Sequence, residues 1–458
     1  MTDYIYDIEC YPNCFLLTAA NVDERKMKTF EISSRVDQRN ELLSFMRSIY
    51  KDRMVGFNNL FYDYPLLHVL LNDKMMTNGD LWKKSNEIIN ATKAPFIKPL
   101  IRQLDLFKVN HFDNDAKRTS LKVLEFNMRM DSIEELPFPV GSVLTNDQID
   151  VLRDYNKHDV KATFEFYNQC LDAIKFREYL SNKFKRNFMN HNDVKIGKDF
   201  FVMSLEKQGI SCYENKEPRQ TPRKQIVVKD ILLPYISFKH PELQRVHEEF
   251  KNLVITNTKG NFSLSADLDG FVLDYGTGGL HGSLLSTMVK ADEEYAIENR
   301  DVASYYPNLA IKNRFYPEHL TERFCDVYES IYNQRKKYPK GSAENSMMKL
   351  ALNGTYGASN SEYSPFYDPQ FTMAITINGQ LLLSMLVEMM LEVPTVEMVN
   401  VNTDGLCYKV ARKHLDDVES VAQKWQNLTK LELEKEYIKR MYLRDVNSYI
   451  LEFEENED

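Results

Sequence analysis

Six acidic residues fall into two groups along the chain, Asp7, Glu9, Asp63 and Asp159 towards its start and Asp301 and Asp404 towards its end, a spacing that implies two separate metal sites. The first group begins in the strand-like run Tyr4-Ile5-Tyr6-Asp7-Ile8-Glu9, where residues two apart share a face, so Asp7 and Glu9 aim at one spot. At about 4 Å and an effective dielectric near 20, two such carboxylates repel by about 4 kcal/mol, and the cluster stays ionised only around a cation. Oxygen-only ligands favour Mg²⁺ or Mn²⁺. An isolated Asp-Ile-Glu is common on surface strands, so its weight comes from two further segments. Asn59-Leu60-Phe61-Tyr62-Asp63 follows an apolar run, and Tyr155-Asn156-Lys157-His158-Asp159 lies on a helix-like stretch reaching Tyr167, where residues four apart share a face and Tyr155 sits beside Asp159.

In order and spacing, Asp7, Glu9, Asp63, Tyr155 and Asp159 resemble the three motifs of the proofreading 3′-5′ exonucleases. The resemblance implies an RNase H-like α/β domain in which two metals clamp a phosphodiester, one activating a water and the other stabilising the leaving oxygen, while the Tyr155 hydroxyl orients the water. Ser120-Leu121-Lys122-Val123-Leu124 looks like the single-strand-binding segment of such domains, and Asn59 is implied to contact the same frayed primer end. A lysine that some relatives carry between this segment and the last motif has no match, because residues 131 to 156 contain none.

The second group has its own context. Asp301-Val302-Ala303-Ser304-Tyr305-Tyr306-Pro307 looks like motif A of the family B DNA polymerases, Lys349-Leu350-Ala351-Leu352-Asn353-Gly354-Thr355-Tyr356-Gly357 like motif B, and Asn402-Thr403-Asp404-Gly405 like motif C. Residues 396–401 and 406–410 read as two strands around a tight turn containing Gly405, which would hold Asp404 at a hairpin tip beside a strand ending at Asp301. The two aspartates would hold two cations about 4 Å apart, one activating the primer 3′-hydroxyl and one gripping the triphosphate. Lys349, Asn353 and Tyr356 recur at helical spacing and face the incoming nucleotide, with Arg335 as a second, bidentate phosphate contact. The resemblance further implies that Tyr306 underlies the sugar and excludes ribonucleotides, with Ser304 and Tyr305 lining the same nucleotide site. Three positions depart from the pattern: Asn402 stands where motif C usually has aspartate, Gly354 where serine is common, and Asn447-Ser448-Tyr449 where a Lys-x-Tyr motif grips the primer strand. Lys435-Glu436-Tyr437 spells that motif too early in the chain and reads as coincidence.

Tyr275-Gly276-Thr277-Gly278-Gly279-Leu280-His281-Gly282 resembles the Tyr-x-Gly-Gly segment that joins the two regions in phage-type enzymes, with Tyr275, Gly278 and Gly279 at template-contacting positions. Asp301 to Lys349 is 48 residues and Asn353 to Asp404 is 51, too short for the insertions of protein-primed replicases. Family members continue into a thumb, whereas this chain stops at Asp458 after the acidic run Glu452–Asp458. The expectation is a thumb absent from this chain, which is either a piece of a longer protein or one part of a split polymerase completed by a second polypeptide.

At 458 residues, 43% hydrophobic and 27% charged, the chain can bury two or three cores. Its net charge of −9 excludes indiscriminate DNA binding, so basic residues must act locally. Residues 175–187, 216–229 and 335–349 each hold five basic residues and one acidic, and they fit a DNA track as well as solvated helix faces. Cys10, Cys14, Cys170, Cys212, Cys325 and Cys407 lack zinc-type spacing and read as reduced. The first residues already read as the Asp7 strand, so no signal peptide is expected, and Ile375–Val393 reads as an amphipathic helix rather than a membrane span.

The expected architecture is α/β and α+β multidomain. An exonuclease domain with a mixed sheet (1–170) precedes a connector (171–270), palm with motif A (271–317), fingers (318–357) broken near Pro339-Lys340-Gly341, and palm with motif C (358–458). The expected activity is DNA-directed DNA synthesis with proofreading, for phage genome replication in the host cytoplasm. It uses two Mg²⁺ or Mn²⁺ ions per site, primer-template DNA and dNTPs, and a thumb-bearing polypeptide or processivity factor as further partner. Two alternatives stand beside it: an exonuclease whose polymerase half is an inactive DNA platform, and a non-catalytic scaffold.

Overall fold

The computed structural model describes residues 1–92, 97–256 and 262–454, so Glu455–Asp458 of the acidic run lie outside the described residues. The chain divides into two compact units, Met1–Ile196 and Gly197–Asp458.

In the first unit β1 (Asp3–Tyr11), β2 (Cys14–Asn21), β3 (Met27–Ser33), β4 (Arg53–Gly56) and β5 (Arg102–Asp105) form one mixed sheet. The order is β3-β2-β1-β4-β5, with β1 to β3 antiparallel and β4 and β5 parallel to β1. Period-two alternation sends Tyr6, Ile8 and Cys10 of β1 into a core shared with α1 (Arg39–Ser48), α2 (Asp63–Asn72) and α3 (Asn78–Ile89). Ile5 points the other way, into a core built with α4 (Leu106–Val109), Leu124 of α5 (Leu121–Asn127), and Val160, Phe164 and Tyr167 of α6 (Asn146–Gln169). Asp7 and Glu9 share the Ile5 face and therefore look towards α6. A capping box fixes where that helix starts, with Thr145 and Gln148 satisfying each other's backbone amides.

The first unit runs on past residue 170 because α7 (Leu171–Phe184) packs into it. Ile174 joins the core with α6, and the buried Arg177 guanidinium donates to the carbonyls of Val109, Ala173 and His191 and to Asp193.

Helix α8 (Asp193–Lys207) leads into the second unit. Two short ladders follow, β6 (Tyr213–Glu214) with β7 (Glu217–Pro218) and β8 (Ile226–Val227) with β9 (Val254–Ile255), the latter pair flanking α9 (Pro241–Asn252) in sequence. The main sheet takes β10 (Ser263–Leu268), β11 (Phe271–Gly276), β12 (Gly279–Ser283), β13 (Thr287–Lys290), β14 (Tyr295–Val302), β15 (Glu397–Asn402), β16 (Gly405–Ala411), β17 (Leu433–Asp445) and β18 (Ser448–Phe453). Its order is β10-β11-β12-β15-β16-β14-β17-β13, with β18 also on β17. Helices α10 (Tyr305–Asn313), α11 (Arg323–Arg335), α12 (Ala343–Gly357), α13 (Pro369–Leu391) and α14 (Leu415–Thr429) complete the unit. The break between α11 and α12 falls at the Pro339-Lys340-Gly341 stop expected from the sequence, and Ser342 caps the second helix.

The expectation of an amphipathic helix at 375–393 needs correction. Helix α13 is buried on nearly every face, with β12, β15 and β16 on one side and α10 and α14 on others. Its polar residues are not a solvent face but hydrogen-bonding anchors. Asn378 accepts from Leu233 N and donates to the Ile231 carbonyl, Gln380 accepts from Gly276 N, and Glu388 accepts from the amides of Lys239 and His240. By length and composition α13 is the one candidate membrane span among the described residues, and protein covers it.

Trp425 of α14 is fully buried and donates its indole N–H to the Leu382 carbonyl at 2.9 Å. Trp425→Ala is expected to cost about 3–5 kcal/mol, from the cavity and the orphaned carbonyl. A denaturant titration would read this as an earlier midpoint, and an unmoved midpoint would show that this joint does not hold the unit.

Candidate active sites

The first site forms where β1 meets α6. One oxygen each from Asp7, Glu9 and Asp159 lies within 4.8 Å of the others. Asp63, at the first position of α2, is held at the strand by Ile8 N, which donates to its Oδ1 at 3.0 Å. Asn156 donates to Asp7 Oδ2 at 2.7 Å, while its own Oδ1 is buried without a protein partner. Burial, then the neighbouring Asp63, Glu9 and Asp159 carboxylates, hold Asp7 well above the usual aspartate range. Burial followed by Asp159 and Asp63 does the same to Glu9, against the Lys122 ammonium. Three converging carboxylates and an orphaned amide oxygen, with no nitrogen or sulfur ligand among them, fit a hard divalent cation such as Mg²⁺ or Mn²⁺.

Lys122 is the residue that sequence reasoning missed. Its Nζ lies 2.6 Å from Asp159 Oδ1 and 3.2 Å from Glu125 Oε1, and it stands over the Tyr155 ring at 4.7 Å from the centroid. It comes from α5, whose N-cap is Ser120, and not from the stretch before the last motif. Chain spacing carries no trace of this, because the contact crosses from one helix to another; the one signal was a lysine inside the Ser120–Leu124 segment. Ser120 is exposed and Leu121 half-buried on the same short helix.

Asn59 does not face a groove. It is fully buried, donating to Gln103 Oε1 at 2.9 Å and more weakly to the Tyr6 hydroxyl at 3.3 Å. The expected side-chain contact with a DNA strand is therefore corrected: Asn59 buttresses the loop before Asp63.

The second site sits on the main sheet of the second unit. Asp301 nears the end of β14, with Gly405 opposite it in register on β16 and Asp404 in the β15–β16 turn. Val302 N donates to the Asp404 carbonyl at 2.8 Å, locking strand end to turn. Room for the Asp301 side chain exists only because residue 405 is glycine: a Cβ there would stand 1.8 Å from Asp301 Oδ1. Asn299 donates to Asp301 Oδ2 at 2.9 Å. Burial, with Asp404 as the next cause, raises the Asp301 carboxyl above the usual range, and burial likewise raises Asp404. Both turns that present these groups carry left-handed residues, Ser304 at φ 47° and Thr403 at φ 61°. Such non-glycine positions cost about 1–2 kcal/mol and persist where surroundings hold them. Thr403 is held by Asn402, by the Leu280 carbonyl and by close approach of Gly279.

Of the residues singled out for nucleotide and primer contact, Tyr306, Arg335 and Tyr449 lie near this pair. Tyr306 stacks on Tyr356 with centroids 4.3 Å apart. Arg335 reaches Ser304 Oγ at 3.4 Å and Asn345 Oδ1 at 3.3 Å. Lys349 and Asn353 are exposed one turn apart on α12. Tyr449, 41% exposed on β18, lies near enough to Asp301 and Asp404 that, after burial, their charges raise its hydroxyl pKa. Gly278 is exposed with open space around it.

Two expected contact residues turn out to be structural. Tyr275 is 2% exposed, its hydroxyl 2.7 Å from Ser384 Oγ on α13, and Tyr305 is 3% exposed, its hydroxyl donating to the Gly379 carbonyl. Both rings are apolar bodies whose one polar atom found a partner inside, so the side chains, as distinct from the backbone, are turned away from a ligand. Asn402 turns its amide to the Val446 carbonyl at 3.2 Å. Lys435 pairs with Glu419 instead of facing the Asp301 site, in keeping with a chance Lys-x-Tyr.

No family model and no curated protein matches the chain. Among solved structures it is similar to the family B DNA polymerase from the hyperthermophilic archaeon Pyrobaculum calidifontis, at a TM-score of 0.53 and 13% sequence identity. The match covers 99% of this chain and 59% of that one, so the chain spans about three fifths of the length of the polymerase it matches. At this identity the likeness is one of fold, and the fold is that of a family B DNA polymerase.

Gly405→Ala is expected to push Asp301 aside or open the hairpin, costing about 1–3 kcal/mol. Thermal melting reads the loss, and an unchanged melting point would mean that Asp301 has room to turn. A second expectation concerns pH. Burial, aided by Asp105 and Asp159 and opposed by the Ile8 amide, pushes Asp63 up to about 7, and burial pushes Asp105 up to about 6 against the amides of Leu60, Asn58 and Phe107. Between about 4 and 7 the folded chain thus binds more protons at these groups than the unfolded chain does. Their contribution to stability is full below about 4 and is lost as pH rises through 6 to 7. With divalent ions chelated, the melting temperature should rise from about pH 7.5 to about pH 5, less steeply in Asp105→Asn; equal slopes would contradict the assignment.

Proposed function

We propose that the chain is a DNA-directed DNA polymerase with a 3′-5′ proofreading exonuclease, of minimal phage type and working in a host cytoplasm. The observation that carries the reading is the convergence of Asp301 and Asp404 beside Gly405 in a chain with the fold of a family B DNA polymerase. The substrates are primer-template DNA and dNTPs, and a thumb-bearing second polypeptide or a processivity factor would join them.

In this reading Asp301 and Asp404 would hold two divalent cations in the synthesis site, and Asp7, Glu9, Asp63 and Asp159 would hold two in the exonuclease site. Bound Mg²⁺ or Mn²⁺ would neutralise phosphate charge and lower the pKa of the attacking oxygen. The chain supplies the positioning that phosphoryl transfer requires. Arg335 and Lys349 take the triphosphate, Arg335 through its planar fork. Tyr306 underlies the sugar, Asn353 and Tyr356 complete the nucleotide wall, and Tyr449 steadies the primer. At the exonuclease site Tyr155 orients the attacking water. Lys122 holds Asp159 and the Tyr155 ring in place and sets a positive charge beside the charge that develops on the phosphate.

The test is extension and degradation of a labelled primer on a template with Mg²⁺. Asp404→Ala should abolish extension and keep degradation, Asp7→Ala should do the reverse, and Lys122→Ala should slow degradation by about 10²-fold while extension continues. Degradation by the wild-type chain without any extension, persisting when a thumb-bearing partner polypeptide is supplied, would overturn the reading in favour of an exonuclease whose second unit is an inactive DNA platform. Asn402, Gly354 and Asn447, the departures from the polymerase motifs, would then be the first residues to replace.

A further inference from the structure

Three tyrosine rings stack in the second unit. Tyr305 and Tyr306 have centroids 5.8 Å apart at 16°, and Tyr306 and Tyr356 4.3 Å apart at 27°. Both outer rings are tied to α13 at residues three apart. The Tyr305 hydroxyl donates to the Gly379 carbonyl at 2.5 Å, and the Tyr356 hydroxyl lies 2.7 Å from Thr376 Oγ1. Thr376 is itself buried and donates to the Thr372 carbonyl at 2.9 Å, so its hydroxyl is left to accept from Tyr356. The chain of hydroxyls closes on itself: Thr372 Oγ1 is 2.8 Å from Ser359 Oγ, which donates to the Tyr356 carbonyl at 2.6 Å. Gly379 packs closely here: a Cβ would stand 3.1 Å from the end of the Leu309 side chain, which would have to give by a few tenths of an ångström, and in ordinary contact with the Tyr305 ring at 3.6 Å. Between its two anchored neighbours Tyr306 is half-buried, and no hydrogen bond holds its hydroxyl among the described residues.

We infer that Thr376 is a positioning residue for sugar selection, fixing Tyr356 so that the stacked Tyr306 ring stands as a rigid wall against a 2′-hydroxyl. The inference rests on the reading of this site as a deoxynucleotide site. A compliant apolar pocket rejects an added hydroxyl poorly, because its wall gives way by the fraction of an ångström required. Tyr306 can give way only if one of its neighbours moves. Tyr305, the first residue of α10, is buried and tied to α13, so the neighbour free to swing is Tyr356, and Thr376 holds its outer end.

The experiment measures single-nucleotide insertion by the full chain, with kcat and KM determined separately for a dNTP and the matching rNTP. Thr376→Val keeps shape and removes the acceptor. It should raise the rNTP-to-dNTP ratio of kcat/KM by about fivefold, the worth of one net hydrogen bond, chiefly through a lower KM for the rNTP. Thr376→Ser should restore the wild-type ratio. Tyr356→Phe breaks the same bond from the other side and carries the test should Thr376→Val fail to fold. The double variant should rise no further than either single change. An unchanged ratio in variants that still insert dNTPs overturns the inference alone, and a wild-type chain that extends no primer even with a thumb-bearing polypeptide supplied overturns it together with the polymerase reading.

Discussion

Like charges crowded into partly buried positions set the terms for the rest of this molecule. Each pair of carboxylates repels its neighbour most strongly where burial thins the solvent that would screen it. Only a stiff platform keeps such groups together. Both units meet the demand with an interior strand: β1 lies between β2 and β4, and β14 between β16 and β17. The countermeasures then differ. The first site recruits side chains from other helices, Lys122 from α5 and Asn156 from α6. The second relies mainly on backbone, with a glycine clearing room for Asp301 and left-handed turns presenting Asp404, beside the side-chain donor Asn299.

What could be read in the sequence follows from the same division. Asp7 and Glu9 on one face of β1, Tyr155 beside Asp159 on α6, and Asp404 at a hairpin tip were legible because strand period, helix period and turn chemistry are local rules. Lys122 was illegible as a partner of Asp159, since only the packing of α5 on α6 joins them. Asn59, Tyr275 and Tyr305 carried the residue types of contact positions, yet each was drawn inside by a buried partner that lies far along the chain: Gln103, Ser384 and Gly379. Helix α13 was misread for a related reason. Its Asn378, Gln380 and Glu388 look like a polar face until the loops that they bind are folded onto them.

Helix α13 thereby joins two roles that are often kept apart. It fills the centre of the second unit as an apolar rod, and at Thr376 and Gly379 it fixes tyrosines that border the Asp301–Asp404 site. Packing at the centre and geometry at the site are then one property, and a substitution that loosens the first is felt at the second.

The strand that bears Asp301 has a consequence for biosynthesis. Strand β14 spans residues 295–302, while the strands on either side of it, β16 and β17, span 405–411 and 433–445. As the chain leaves the ribosome, β14 emerges with both edges open and stays so while α10 to α13 are made. One edge closes with the motif C hairpin, and the other only when β17 arrives. During that interval the strand offers unpaired amides and carbonyls to any neighbouring nascent chain. The pairing that finally protects it is among the most distant in sequence and so among the slowest to form. Yield of this protein in a cell would accordingly be governed by how well β14 is shielded during translation, by chaperones or by slow expression at low temperature, more than by the stability of the finished fold.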